Sequence, residues 1–129
     1  MAPRRRARGV TYDVARELAR ALPEVEDSTS WGMPAFKVRG KLIALRKEDG
    51  ETLAVRTDFF EREALIRAAP DTFFFTDHYR NYPWILVRLP AVEQAQLAEM
   101  LEDAWRRVAP KRLVRAFDAE RAKVASESR

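Results

Sequence analysis

Asp49-Gly50 sits between two stretches that alternate apolar and polar residues, and this arrangement constrains the fold more than any other feature of the chain. A tight primed turn needs positive φ at its centre, which Asp-Gly supplies, so the flanking segments are expected to fold back as an antiparallel hairpin. Before the turn, Phe36-Lys37-Val38-Arg39 alternates with the period of a half-buried strand. Gly40 and Lys41 then turn the chain into a second strand, Leu42 to Lys47. After Gly50, Leu53, Val55 and Thr57 point one way while Ala54 and Arg56 point the other. The middle of the chain is therefore predicted to be a three-stranded meander.

Helical periodicity brackets this meander. Thr11 is a candidate N-cap, and Val10, Val14, Leu18 and Leu22 recur every four residues until Pro23 stops the helix. Ser28 to Trp31 leads into Gly32 and Pro34, which mark a turn. Asp58 followed by Glu61 resembles a capping box, with a helix expected near 59–69. Phe73 to Phe75 is short, aromatic and extended, and residues 76–84 form a polar-aromatic connection. Ile85, Val87 and Leu89 alternate with Leu86 and Arg88 as a further strand. Pro90 precedes a helix over 91–108 whose Leu97, Leu101, Ala104, Trp105 and Val108 form one stripe. Residues 111–125 are weakly amphipathic. The order of elements predicts a two-layer α+β fold, an antiparallel sheet with helices packed on one face, and not a parallel doubly wound sheet. Trp31 and Trp105 both read as core aromatics.

Composition adds limits. A length of 129 residues is one domain's worth, and 47% hydrophobic residues suffice for a core. Cysteine is absent, which removes disulfides, thiolate zinc sites and a cysteine nucleophile together. No apolar run approaches the roughly 18–20 residues that span a bilayer, so no membrane partner is expected. Arg4, Arg5, Arg6 and Arg8 are followed by no apolar stretch and do not read as a secretory signal; a cytoplasmic address is expected.

The net charge of +4 is unevenly placed. Residues 1–9 carry four arginines and no acid, and residues 111–129 carry six basic against three acidic side chains, so residues 10–110 stand at −3. Three segments follow: a disordered basic tail over 1–9, a folded domain over 10–110, and a basic C-terminal helix or tail over 111–129.

Several motifs occur together. They are Thr29-Ser30-Trp31-Gly32-Met33-Pro34-Ala35-Phe36-Lys37-Val38 with Gly40-Lys41, Thr76-Asp77-His78-Tyr79-Arg80, and Tyr82-Pro83-Trp84-Ile85-Leu86-Val87-Arg88-Leu89. Ala104-Trp105 and Ala109-Pro110-Lys111-Arg112-Leu113 complete the set. Through them, over roughly residues 11–113, the chain resembles the MmcQ/YjbR family. The resemblance implies a CyaY-like (frataxin-like) α+β fold. It also implies the DNA-binding label that such proteins carry from their likeness to a double-wing architecture, a warrant that rests on fold. It brings no catalytic residues with it.

Strand phase suggests where binding would occur. If Phe36, Val38, Ile43, Leu45, Leu53, Val55, Ile85, Val87 and Leu89 face the helices, then Lys37, Arg39, Arg46, Arg56 and Arg88 emerge on the opposite face beside Trp84 and Leu86. Arginine next to aromatic rings suits phosphate contact and base stacking, as in single-strand and RNA binders. The plainer alternative is the outward alternation of charge on any half-solvated sheet. A second candidate is the connection containing Asp77, His78, Tyr79, Arg80 and Tyr82, as a small-anion or protein-interaction site or simply as an anchored loop. His78, the only histidine, is a candidate general base for a third reading, but adjacent Asp77 points elsewhere in an extended chain. One histidine and scattered carboxylates provide no metal spacing, and neither metal nor cofactor is expected. The chain reads as a binding module, for nucleic acid or a protein partner, rather than an enzyme.

Overall fold

The computed structural model of the chain describes residues 8–127. Thr11 accepts a hydrogen bond from the Val14 amide at 3.2 Å and opens helix α1 (Tyr12–Arg20). The innermost positions of α1 are Ala15 and Ala19, both fully buried, so small side chains let this helix approach its neighbours closely. Four strands follow: β1 (Val25–Ser30), β2 (Met33–Val38), β3 (Lys41–Arg46) and β4 (Thr52–Arg56). Then come α2 (Phe59–Ala68), β5 (Phe73–Phe74), a short 3₁₀ turn (Asp77–Tyr79), β6 (Trp84–Arg88), α3 (Gln94–Val108) and α4 (Lys111–Glu127).

The strands form one sheet in the order β1-β2-β3-β4-β6-β5, and every neighbouring pair is antiparallel. The α+β class and the antiparallel sheet agree with the sequence reading. β1 is missing from the expected order because Val-Glu-Asp-Ser-Thr-Ser offers one apolar residue. It is an edge strand, paired with β2 from Val25↔Val38 to Ser30↔Met33, with mostly exposed side chains.

Two hairpins use primed turns, at Trp31-Gly32 (φ 55° and 75°) and Arg39-Gly40 (φ 52° and 80°). The Asp49-Gly50 hairpin forms as expected but with a wider loop, closed by the Lys47 amide donating to Thr52 O at 2.8 Å. Asp49 fills that loop by accepting from the Glu51 and Thr52 amides and the Thr52 hydroxyl.

The helix-side core joins Phe36, Val38, Ile43, Leu53, Val55, Ile85 and Val87 to the α3 stripe Leu97, Leu101, Ala104 and Trp105. Trp105 is fully buried, donates from Nε1 to Pro23 O at 2.9 Å and meets the Phe117 ring of α4 edge-on at 5.0 Å. Trp31 reverses expectation: at the β1–β2 tip its side chain is 93% exposed, because position 31 is a turn residue.

One irregularity in β3 changes the sheet's phase. Phe36 pairs with Ala44 and Lys37 with Leu42, so the β2 ladder skips Ile43. In such a bulge two successive side chains share a face, and Ile43 and Ala44 both enter the helix-side core. Beyond it the alternation is inverted. Leu45 lies on the face away from the helices and Arg46 on the helix side.

Arg8 forms an isolated antiparallel β-bridge with Glu93 through the backbone, the Gly9 amide donates to Val92 O at 2.9 Å and the Val10 amide to Leu89 O at 2.8 Å. Arg8 and Gly9 are thus tied to the segment after β6, unlike the disorder expected for 1–9; residues 1–7 of that tail lie outside the described residues. Among the described residues no helix is long and apolar enough to cross a membrane.

Candidate nucleic-acid interface

The face of the sheet away from the helices is built in cross-strand rows. Its central row runs Ala35–Leu45–Ala54–Leu86–Phe74 through successive pairings from β2 to β5. Ala35, Leu45, Ala54 and Leu86 are buried there, and Tyr79 is buried with them as a second, smaller core. On one side of this row lie Lys37, paired with Leu42, and Arg56, paired with Trp84. On the other side lie Thr52 and its partner Arg88, with Lys47 at the end of β3. The face is a narrow apolar strip with cations along both margins.

Three of the margin cations, Arg56, Arg88 and Lys47, are held by a ring together with a carbonyl or hydroxyl, while Lys37 stands opposite Glu26 in the β1–β2 ladder. Arg56 lies over Trp84 at 5.1 Å and donates from Nε to Leu42 O at 2.9 Å; burial pushes its guanidinium below the ordinary arginine value. Arg88 lies over Phe74 at 3.9 Å and donates to Asp71 O at 3.3 Å. Lys47 donates from Nζ to the Tyr79 hydroxyl at 3.1 Å and sits over that ring. Cation–ring contacts of this kind hold long side chains in place without neutralising them.

The segment 75–84 crosses this face, and Arg62 fixes it there. Only 7% exposed, Arg62 reaches from α2 to the carbonyls of Tyr79 (2.9 Å), Tyr82 (2.9 Å), Trp84 (3.1 Å) and Arg80 (3.1 Å). Its guanidinium stacks on Phe75 at 3.9 Å and faces Phe59 at 5.0 Å. Burial, and then the charge of Arg80, hold it below the ordinary arginine value. Arg62 escaped the sequence reading. The available signal was a charged residue in the stripe that Phe59, Leu65, Ile66 and Ala69 complete.

The predicted residues divide accordingly. Lys37, Arg56, Arg88 and Trp84 share the outer face. Arg39 does not join them: it occupies the β2–β3 turn and forms a two-pronged ion pair with Glu24, at 2.7 and 3.3 Å. Arg46 does not either, because the bulge turns it to the helix side, over the Tyr12 ring at 5.4 Å. In the connecting segment Asp77 pairs with Arg80 at 2.6 Å, and His78 packs edge-on to Tyr79 at 4.8 Å. Asp77 therefore turns to Arg80 and not to the imidazole. Tyr79 is buried, whereas Tyr82 is 58% exposed. Lys47, like Arg62, was not foreseen.

Among the described residues, ion pairs engage most of the arginines away from this face, though not Arg112 and Arg115 of α4. Arg16 and Arg20 pair with Asp27, Arg39 with Glu24, Arg67 with Glu63, Arg106 with Glu102 and Asp118, Arg107 with Asp58, and Arg121 with Glu102. All but Arg39, in the β2–β3 turn, lie on helices, and Arg80 of the connecting segment pairs with Asp77. Among the described residues, no carboxylate lies within ion-pair distance of Lys37, Lys47, Arg56, Arg62 or Arg88.

Comparison with known proteins agrees with this architecture. Uncharacterized protein Rv2570 of Mycobacterium tuberculosis and uncharacterized protein Mb2600 of Mycobacterium bovis are each 42% identical over 100 residues, spanning 64% of this chain and 78% of the relative. The crystal structure of Deinococcus radiodurans protein DR2400, whose domain is described as DUF419, superposes with a TM-score of 0.68 at 24% identity. That match covers 78% of this chain and 80% of the other, and it shows a shared fold. The family model described as YjbR matches residues 20–107, from the end of α1 through most of α3, and the chain belongs to the YjbR family.

Proposed function

We propose that this YjbR domain is a non-catalytic binding module whose outer sheet face takes nucleic acid. One observation carries the reading: among the described residues no carboxylate lies within ion-pair distance of Lys37, Lys47, Arg56 or Arg88, while most arginines of the helices are ion-paired. A cation held by a ring keeps its charge for a phosphate. The basic termini add sequence-independent attraction, since residues 10–110 carry a net −3 and cannot supply it in bulk. Residues 77–84 act in this reading as the wall of the face.

The test is a titration of the full chain with labelled single- and double-stranded probes over a range of salt. Arg56→Ala with Arg88→Ala should weaken binding and lower the log–log salt slope by about one unit per phosphate contact removed. An unchanged slope and affinity in the double variant would move the contacts to the termini and refute the assignment of the face.

A further inference from the structure

We infer that Trp31 is a base-stacking residue, and that the nucleic acid of the proposed outer-face site is single-stranded. The inference rests on that reading and narrows its ligand class. Stacking a base needs a ring face open to solvent, and the outer-face rings are already covered by the protein's own cations. Arg56 lies over Trp84, Arg88 over Phe74, Lys47 over Tyr79 and Arg62 over Phe75. Four further large rings are exposed, Trp31 at 93%, Phe60 at 83%, Tyr82 at 58% and Phe59 at 49%, and of these Phe59 already lies under Arg62 at 5.0 Å. Phe60 stands among Asp58, Glu61 and Glu63, which repel phosphate, and the arginine nearest Tyr82 in the chain, Arg80, is spent on Asp77. Trp31 is flanked by Thr29, Ser30 and Gly32, with no charge to offset.

Backbone geometry makes Trp31 unusual in a second way. It occupies the first central position of a primed turn at φ 55°, where glycine or asparagine is the unstrained choice and a bulky residue is an outlier. Its ring has no aromatic or cationic partner among the described residues to repay that strain. A strained, solvated tryptophan with no ring or cation partner among the described residues is costly unless it meets something outside the fold.

Position supplies the occupant. The tip lies one pair beyond Met33, which packs on the outer face. Met33 and Lys47 both lie two residues beyond the Ala35–Leu45 pair, at the same end of the sheet, and Arg88 sits at that end two strands past β3, about 10 Å away. A ring beside a margin of cations matches a strand with splayed bases and a charged backbone, and a duplex keeps its bases stacked out of reach. The adjacent hairpin also carries Glu48 and Glu51, so Lys47 and Arg88 on the face, not the tip, are to meet the phosphates.

The full chain is titrated with an oligothymidine and with a duplex of equal length, in the parent, Trp31→Asn, Trp31→Phe and the Arg56/Arg88 double alanine. Trp31→Asn should weaken single-strand binding by about tenfold, within the range for loss of one stacked base. It should leave the salt slope and the duplex affinity unchanged and raise the thermal midpoint by relieving the turn. Trp31→Phe should recover most of the affinity. Single-strand affinity unchanged in Trp31→Asn, with the arginine double still weakened, would overturn the stacking role and leave the outer-face reading standing. A parent that binds neither probe, or binds the duplex more tightly, would overturn this inference; failure of the arginine double to weaken binding would overturn the reading beneath it.

Discussion

Replacing Arg62 with methionine probes how the outer face is held together. Methionine keeps an unbranched stem between Phe59 and Phe75 but removes the donors that serve the carbonyls of Tyr79, Arg80, Tyr82 and Trp84. If the segment relaxes enough to hydrate two of these carbonyls, two stay stranded at about 1–3 kcal/mol each. The relief of no longer burying a guanidinium works in the opposite direction, since no carboxylate among the described residues lies within ion-pair distance of its charge. The expected net loss is about 2–4 kcal/mol. Urea unfolding followed by far-UV circular dichroism reads the global part. Amide exchange over residues 76–84 reads the local part, because a segment released from Arg62 would open without unfolding the helix-side core. Arg62→Lys should recover less than half of the loss, as a single ammonium cannot span four carbonyls. An unchanged urea midpoint together with unchanged protection of the Tyr79, Tyr82 and Trp84 amides would refute the account, because both readouts depend on those four bonds.

Other expectations are simpler. Trp105→Ala should cost about 3–5 kcal/mol, since the ring is fully buried and its Nε1 serves Pro23 O; a loss below about 1 kcal/mol would refute its place in the core. Gly9→Ala should destabilise by about 1–3 kcal/mol, because φ of 97° suits glycine and a Cβ would lie 3.0 Å from Pro90 O. An unchanged thermal midpoint would mean that the N-terminal pairing to residues 89–92 adds nothing. Docking of α4 should weaken in acid: Arg121 and then Arg106 hold the Glu102 carboxyl below its ordinary range, and Arg106 does the same for Asp118. Carboxyl groups lowered on folding stabilise above their unfolded values near 4 and lose that contribution as pH falls through the folded ones. Exchange of α4 amides at pH 7 and pH 3, corrected for intrinsic rates, should therefore show faster opening in acid, and Asp118→Asn should flatten the difference.

Much of the fold was legible because local signals and tertiary role coincide. Thr11 and Asp58 are capping residues by chemistry and cap α1 and α2 in the structure. The Leu97–Trp105 stripe has one apolar face and buries it. Phase failed at Leu42-Ile43-Ala44-Leu45, where four apolar residues in a row read equally well in either register. A bulge there inserts one residue without leaving a mark, and every assignment downstream in β3 inverts, which is how Leu45 and Arg46 exchange faces. β1 was hidden for the opposite reason. An edge strand with one neighbour and little buried area can be polar, and its pairing energy comes from backbone bonds that every residue offers equally.

Arg62 and Trp31 invert the rule that arginine lies outside and tryptophan inside, and each does so through something the local pattern does not encode. For Arg62 the cause is a set of carbonyls 17 to 22 residues away that turn inward together once the 3₁₀ turn forms. For Trp31 it is a turn that forces an exposed position. The first inversion also joins the two candidate sites seen in the sequence, because the connecting segment closes over the same strip that the margin cations border. Binding at the face should then depend on Arg62, although Arg62 is buried. Arg62→Met should weaken nucleic-acid binding by loosening Tyr79 and the main chain at Trp84, on which Lys47 and Arg56 rest. A lost phosphate contact lowers the salt slope, whereas lost order lowers affinity at every salt concentration with the slope nearly kept. Parallel salt titrations of Arg62→Met and Arg56→Ala separate the two, and a fall in slope for Arg62→Met equal to that for Arg56→Ala would show that Arg62 touches the ligand itself.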